Sequence, residues 1–161
     1  MKTLYLVRHA KSSRNEKGIN DWERPITASG IAKAKKIAKR LYAKKAVPDK
    51  MISSQAFRAL NTALLFATNL HCPLSAIEIN VSLYEKKVSD ILDMLKKQDD
   101  TITSIMLFGH NPSISELSNY LTRKKNKDLT TSGVTCIQFK TDHWSNIDKT
   151  AGKPIYTELG K

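Results

Sequence analysis

Cysteine is scarce in this chain of 161 residues. Cys72 and Cys136 are too few and too far apart for a disulfide framework, and neither stands in a C-x-x-C pair of the zinc or redox kind, so both read as ordinary core thiols of a reducing compartment. Long apolar runs are lacking as well. The first, Leu4 to Val7, is cut short by Arg8 and His9, which is too early for the core of a signal peptide, and no stretch approaches the roughly 18 apolar residues of a membrane span. The expected location is therefore the cytoplasm, with no membrane partner. Acidic residues are outnumbered, 15 Asp+Glu against 27 Lys+Arg, giving a formal charge of +12.

A basic surface attracts polyanions without any sequence readout, so the placement of the charge decides what it means. Between residues 33 and 50 lie Lys33, Lys35, Lys36, Lys39, Arg40, Lys44, Lys45 and Lys50 against Asp49 alone. In the same stretch Ile31, Ala34, Ala38, Leu41 and Tyr42 recur at helical spacing, which leaves Lys33, Lys36, Arg40 and Lys44 on the far side. This describes an amphipathic helix with a solvated basic face. A second group, Arg123, Lys124, Lys125 and Lys127, has the composition of a loop, and no base-stacking aromatics are interleaved with either group, so a nucleic-acid partner is not favoured.

A hydrophobic fraction of 40% places the chain among globular domains rather than disordered segments, and its length suits one domain spanning 1–161. Short apolar or β-branched runs at Thr3–Val7, Lys50–Ser53, Ile77–Asn80, Ser104–Phe108 and Val134–Lys140 read as strands. Helical periods fall between them: 28–43 capped by Thr27, 56–69 capped by Ser54, 89–97, and a helix opened by Pro112 that runs to about Leu121. Residues 11–26 read as a loop. Strands alternating with helices of this length predict an α/β three-layer sandwich, a mostly parallel central sheet flanked by helices on both faces.

In such sheets the chemistry lies beyond the carboxyl ends of the strands. Strand one ends in Arg8-His9; strand two is followed by Ser53-Ser54 and, one turn on, by Arg58; the later apolar strand ends in Gly109-His110-Asn111. Two arginines and two histidines thus converge on one rim. Guanidinium groups pair bidentately with phosphate oxygens, and a neutral imidazole can attack phosphorus directly, so the set suits phosphoryl chemistry.

These residues also carry a resemblance. Leu4-Tyr5-Leu6-Val7-Arg8-His9-Ala10-Lys11-Ser12-Ser13 resembles the R-H-G/A signature of the histidine phosphatase (phosphoglycerate mutase-like) superfamily, in the form used by its small SixA branch of phosphohistidine phosphatases. Asp21-Trp22-Glu23-Arg24-Pro25-Ile26-Thr27-Ala28-Ser29-Gly30 is similar to that branch's D-x-x-R-P-L-T-x-x-G block. Ser53-Ser54-Gln55-Ala56-Phe57-Arg58-Ala59-Leu60-Asn61-Thr62-Ala63 is similar to S-S-P-x-x-R-A-x-x-T-A, with Gln55 in place of the usual proline. Phe108-Gly109-His110-Asn111-Pro112 and Leu129-Thr130-Thr131-Ser132-Gly133 complete five ordered blocks.

The resemblance implies that His9 is the phospho-accepting nucleophile, that Arg8 and Arg58 hold phosphoryl oxygens, and that His110 completes the pocket. It further implies substrate contacts from Ser12 and Asn15, for which turn formation is the alternative reading, and a proton donor at Glu85, for which a solvated glutamate at a helix start is the alternative. Arg24 reads as a pin for the 11–26 loop through a local carboxylate; His71 and His143 read as surface histidines. No metal or cofactor is implied. The expected activity is removal of a phosphoryl group through a phosphohistidine enzyme intermediate, from a phosphorylated protein such as a histidine phosphotransfer domain. The alternatives are a small phosphomonoesterase acting on metabolites or phosphoserine, and a non-catalytic module that binds phosphate or polyanions.

Overall fold

The structure, a computed structural model, describes residues 1–161 apart from Asn15 and Asn126. Six strands form one sheet: β1 (Lys2–Arg8), β2 (Lys50–Ser53), β3 (Ile77–Ile79), β4 (Ser104–Gly109), β5 (Val134–Phe139) and β6 (Lys153–Glu158), in the order β3-β2-β4-β1-β5-β6. The first four run parallel, β5 is antiparallel to β1, and β6 is antiparallel to β5. Helices α1 (Ala28–Ala43), α2 (Phe57–Leu70), α3 (Val88–Lys96) and α4 (Ser113–Thr122) cover it.

Strand periodicity divides the interior in two. Tyr5 and Val7 of β1, Met51 of β2 and Met106 and Phe108 of β4 pack against Ala34, Ile37, Ala38 and Leu41 of α1 and Ala63, Phe66 and Ala67 of α2. Leu4, Leu6, Ile52, Ile105 and Leu107 point the other way, against Ile91 and Leu95 of α3 and Ile114, Leu117 and Leu121 of α4. This is the expected three-layer sandwich. Among the described residues no helix is long and apolar enough to cross a membrane.

Three expectations are corrected. Ser54 does not cap α2, whose N-cap is Ala56; the Ser54 hydroxyl accepts the Ala56 N–H at 3.2 Å and meets His110 on its other side. The basic side of α1 is not simply solvated. Arg40 and Lys44 pair with Glu158 at 2.8 and 3.3 Å, Lys44 also lies over the Tyr156 ring, and Lys33 donates to Thr130 Oγ1 at 3.3 Å, while Tyr42 of the expected apolar stripe is exposed. The partners come from the third correction: β6, which the sequence does not announce. It is an edge strand with an exposed face, it contains Pro154, and the β5–β6 pairing slips between Cys136 and Ile137, so neither composition nor strict alternation marks it.

The loop over 11–26 is anchored at both ends. Ser12 bridges Ile26, Thr27 N–H donates to the Lys11 carbonyl at 2.8 Å, and the Thr27 hydroxyl caps α1 by accepting the Gly30 N–H at 3.1 Å. A side chain at Gly30 has no room, because a Cβ there would stand 2.5 Å from the Lys11 carbonyl oxygen. Gly30→Ala is therefore expected to destabilise the protein by roughly 1–3 kcal/mol, the usual cost of overpacking against backbone. Urea unfolding checks this, and an unchanged midpoint would show that α1 can shift freely.

Candidate active site

The parallel registers set Arg8 beside Gly109 and Ser53 beside Phe108, so the strand ends of β1, β2 and β4 are level. Hydrogen bonds from the backbone then hold the segments just beyond these ends. His9 N–H donates to the Gly109 carbonyl at 3.0 Å, and Ser54 N–H donates to the Phe108 carbonyl at 3.1 Å. Thr62 of α2 accepts the Ala10 N–H at 2.8 Å and donates to the Arg58 carbonyl at 2.6 Å, which ties the segment after β1 to the first turn of α2.

A cleft of about 760 Å³ opens above these ends, lined by Arg8, His9, Lys11, Ser12, Ser13, Arg14, Arg24, Thr27, Arg58, His110, Asn111 and Thr131. Five of these side chains are cations and none is a carboxylate. His9 and His110 stand with ring centroids 5.1 Å apart. Nδ1 of His9 lies 2.7 Å from the Ala10 carbonyl oxygen, an acceptor, so the ring proton sits on Nδ1 and the lone pair is left on Nε2. Burial, followed by the charges of Arg58, Arg8 and Arg24, pulls the His9 pKa down to about 4 against the opposing Ala10 hydrogen bond. His110 falls to about 3, through burial first and then His9 and Arg58; its Nε2 is 2.9 Å from Ser54 Oγ. Both imidazoles are neutral near pH 7.

Polar atoms without partners remain on residues of this cleft. The guanidinium donors Arg8 Nε and Arg58 Nε, and the ring nitrogen His110 Nδ1, are buried without hydrogen-bond partners, although unpaired buried polar atoms are ordinarily rare. Arg8 donates through Nη1 to the Leu129 carbonyl at 2.8 Å, and among the described residues it makes no ion pair. An anion with several oxygens matches these donors in charge and in hydrogen-bonding sense.

Arg8, His9, Arg58, His110 and Ser12 are thus brought to one cleft. Asn15 lies outside the described residues. Glu85 is a correction: it is exposed, adopts a left-handed backbone at φ 53°, and is not among the cleft-lining residues. A carboxylate that does reach the arginines of the cleft is Asp21, which opens one of the five motif blocks but is given no part by the sequence. Arg58 donates through Nη1 to the Asp21 carbonyl at 2.6 Å and through Nη2 to Oδ2 at 2.9 Å; Arg24 Nε meets Oδ1 at 3.0 Å, and the Tyr84 hydroxyl donates to Oδ2 at 2.7 Å. Arg24 therefore does pin its loop through a local carboxylate. The Asp21 carboxyl is held down to about 2, through the Tyr84 hydrogen bond first and the two arginines after it, and Tyr84 is pushed up to about 12 by burial and by that same bond. The i,i+3 spacing of Asp21 and Arg24 was the available signal; nothing local announces the long-range link to Arg58 or Tyr84.

The family model of the histidine phosphatase superfamily (branch 1) matches residues 4–99. An uncharacterised protein of Mycobacterium tuberculosis is 27% identical over 152 residues, covering 88% of this chain and 92% of its own length. In structure the chain is similar to the protein histidine phosphatase SixA complexed with tungstate, at a TM-score of 0.85 and 19% identity over 98% of this chain and 97% of that one. It is also similar to a phosphoserine phosphatase of Entamoeba histolytica in complex with phosphoserine, at a TM-score of 0.71 and 16% identity over 100% and 98%.

The depressed histidines make stability depend on pH. Below the ordinary histidine value near 6.5 the unfolded chain takes up protons that folded His9 and His110 refuse until about 4 and about 3, so the unfolded state binds more protons and stability falls with falling pH. Between pH 7 and pH 5, above the range where most carboxylates titrate, the loss should be on the order of 2 kcal/mol per histidine. Urea melts at the two values check this, and a His9→Asn/His110→Asn double variant should lose most of the dependence. An equally steep decline in that variant would place the titrating groups elsewhere.

Proposed function

This chain belongs to the histidine phosphatase superfamily, and from that premise we propose that it hydrolyses phosphohistidine on a protein through a phosphorylated His9. Nε2 of neutral His9 attacks phosphorus, the new P–N bond forms as the bond to the leaving group breaks, and Arg8 and Arg58 hold the transferring oxygens with His110 beside them. Water then attacks phospho-His9, releasing inorganic phosphate and restoring the neutral ring. Ser12 is positioned on the wall to add a contact to the phosphoryl group.

The observation that carries the substrate class is the state of the acids. An alkoxide leaving group needs a proton as it departs, and a positioned general acid commonly contributes about 10²- to 10⁴-fold to that step. Asp21, at about 2, is ionised and doubly engaged with arginines, the Tyr84 hydroxyl donates its hydrogen bond to Asp21 and is not in the cleft lining, and Glu85 is exposed away from the cleft walls. A departing imidazole carries its own second nitrogen and can be protonated there before the P–N bond breaks. The site therefore suits phosphohistidine better than an alkyl phosphate. The second reading, a small phosphomonoesterase, is favoured by the similarity to a phosphatase whose bound ligand is phosphoserine.

The reaction needs no metal on this reading. The two histidines stand among guanidinium groups that repel a divalent cation, and among the described residues no cluster of three His, Cys, Asp or Glu side chains could hold one. Turnover is expected to survive EDTA, whereas loss on chelation with recovery on adding Mn²⁺ would identify a metallophosphatase. Rapid quenching during turnover should trap protein-bound phosphate that is acid-labile and alkali-stable, and His9→Ala should abolish it. On one preparation, free phosphohistidine should be hydrolysed at least ten-fold faster than an alkyl phosphomonoester, and Glu85→Gln should slow neither. The reverse preference would establish the phosphomonoesterase reading.

A further inference from the structure

Beside the cationic cleft the surface changes character. The short turn Asp21–Glu23 sends Asp21 to Arg58 and sends the next residue, Trp22, outward, where it is 39% exposed. Its ring meets Phe57, the first residue of α2 and 42% exposed, at 5.3 Å between centroids and 80° between planes. Phe57 is in turn the neighbour of Arg58. Two large aromatic side chains are thus held against each other at the rim, each one residue from a member of the Asp21–Arg58 pair. Fixed aromatic pairs that remain open to water are frequent anchors in protein recognition, because they cover large area while losing little rotamer freedom.

The pair does not close the fold. Neither ring belongs to either of the two cores on the faces of the sheet. Nor does it wall the phosphoryl cleft, whose lining is polar and cationic and excludes both rings. A free phosphate ester small enough to fit the cleft has no use for this aromatic ledge. A protein does, since its phosphorylated side chain enters the cleft while the surface around that side chain comes down on the rim.

We propose that Trp22 and Phe57 form the docking ledge for a phosphohistidine-bearing protein, packing against apolar side chains beside its phosphohistidine while Lys11 and Arg14 meet acidic groups around it. This rests on the phosphohistidine reading of the site. Charge complementarity selects the occupant: a chain of net charge +12 with five cations lining the cleft draws an acidic surface, and the phosphoryl group fixes where that surface lands. Single-stranded nucleic acid, the other polyanion, stacks successive bases on a series of aromatic platforms along a backbone groove, whereas here two rings are set edge-to-face against each other at one spot.

The test compares two substrates on the full chain. A helical phosphotransfer domain phosphorylated on its histidine serves as the protein probe and free phosphohistidine as the small one. In the Trp22→Ala/Phe57→Ala double variant KM for the domain should rise ten-fold or more, with kcat/KM for free phosphohistidine within two-fold of the parent. The conservative Phe57→Leu and Trp22→Phe variants should recover most of the affinity for the domain. Trp22 also reports directly: Trp144 is fully buried, so a blue shift of tryptophan emission on adding the phosphorylated domain to a His9→Ala background, absent when Trp22→Phe is added, places the partner on the ledge.

Equal loss on both substrates would overturn the proposal by showing that the ledge merely supports Arg58. No loss on either would overturn it by showing that the partner lands elsewhere, and so would an oligonucleotide that shifts Trp22 emission in place of the domain. Failure of the underlying reading looks different: the parent protein would then hydrolyse neither probe while still acting on phosphomonoesters.

Discussion

Like charges crowded into one cleft repel, and the arrangement around the cleft is shaped by that repulsion. Arg8, Arg14, Arg24, Arg58 and Lys11 share its walls with no carboxylate among them. The protein relieves the repulsion from behind rather than from within. Asp21 reaches Arg58 and Arg24 from the rim, and the carbonyls of Asp21, Leu129 and Ser13 accept from Arg58, Arg8 and Arg24. What remains at the centre is a field that adds to burial in suppressing protonation of His9 and His110, together with guanidinium donors that lack partners. A phosphoryl dianion would meet the free guanidinium donors, while burial keeps Nε2 of His9 unprotonated for attack.

The same electrostatic logic reaches beyond the cleft. Lys33, on α1, is held below the usual lysine range by burial and by Arg8, and it spends one donor on Thr130, next to the cleft residue Thr131. Arg40 and Lys44 farther along the helix share the single carboxylate of Glu158. Part of the basic charge is thus internal scaffolding, in which one face of α1 is fastened to β6, while Lys35, Lys36 and Lys39 of the same helix stay exposed.

Much of this was legible in the residues. The buried strands Leu4–Val7 and Ile105–Phe108 are continuous apolar runs because both faces of a parallel sheet are covered. Residues just past the carboxyl end of one parallel strand necessarily lie near those just past its neighbours, so Arg8, His9, Arg58 and His110 could be gathered from order alone. Asp21, Tyr84 and Ser54 could not be assigned parts, because their roles arise from pairings across the fold that leave no local period. Glu85 illustrates the opposite failure. Its position after the third strand fell in the region where relatives carry an acid, but the residue is exposed, with a left-handed backbone, and no propensity at that residue warns of it. The edge strand β6 escaped because half of it faces water and Pro154 interrupts its donors.

That interrupted edge has a bearing on self-association. A sheet polymerises or recruits an extended peptide through an outer strand that offers a continuous row of free N–H and C=O groups. Here one outer strand, β3, is only three residues long, and the other, β6, opens with Lys153 and Pro154 beside a slipped register. Neither margin offers a long uninterrupted row, which disfavours strand pairing between molecules at the two places where an α/β sheet is most vulnerable.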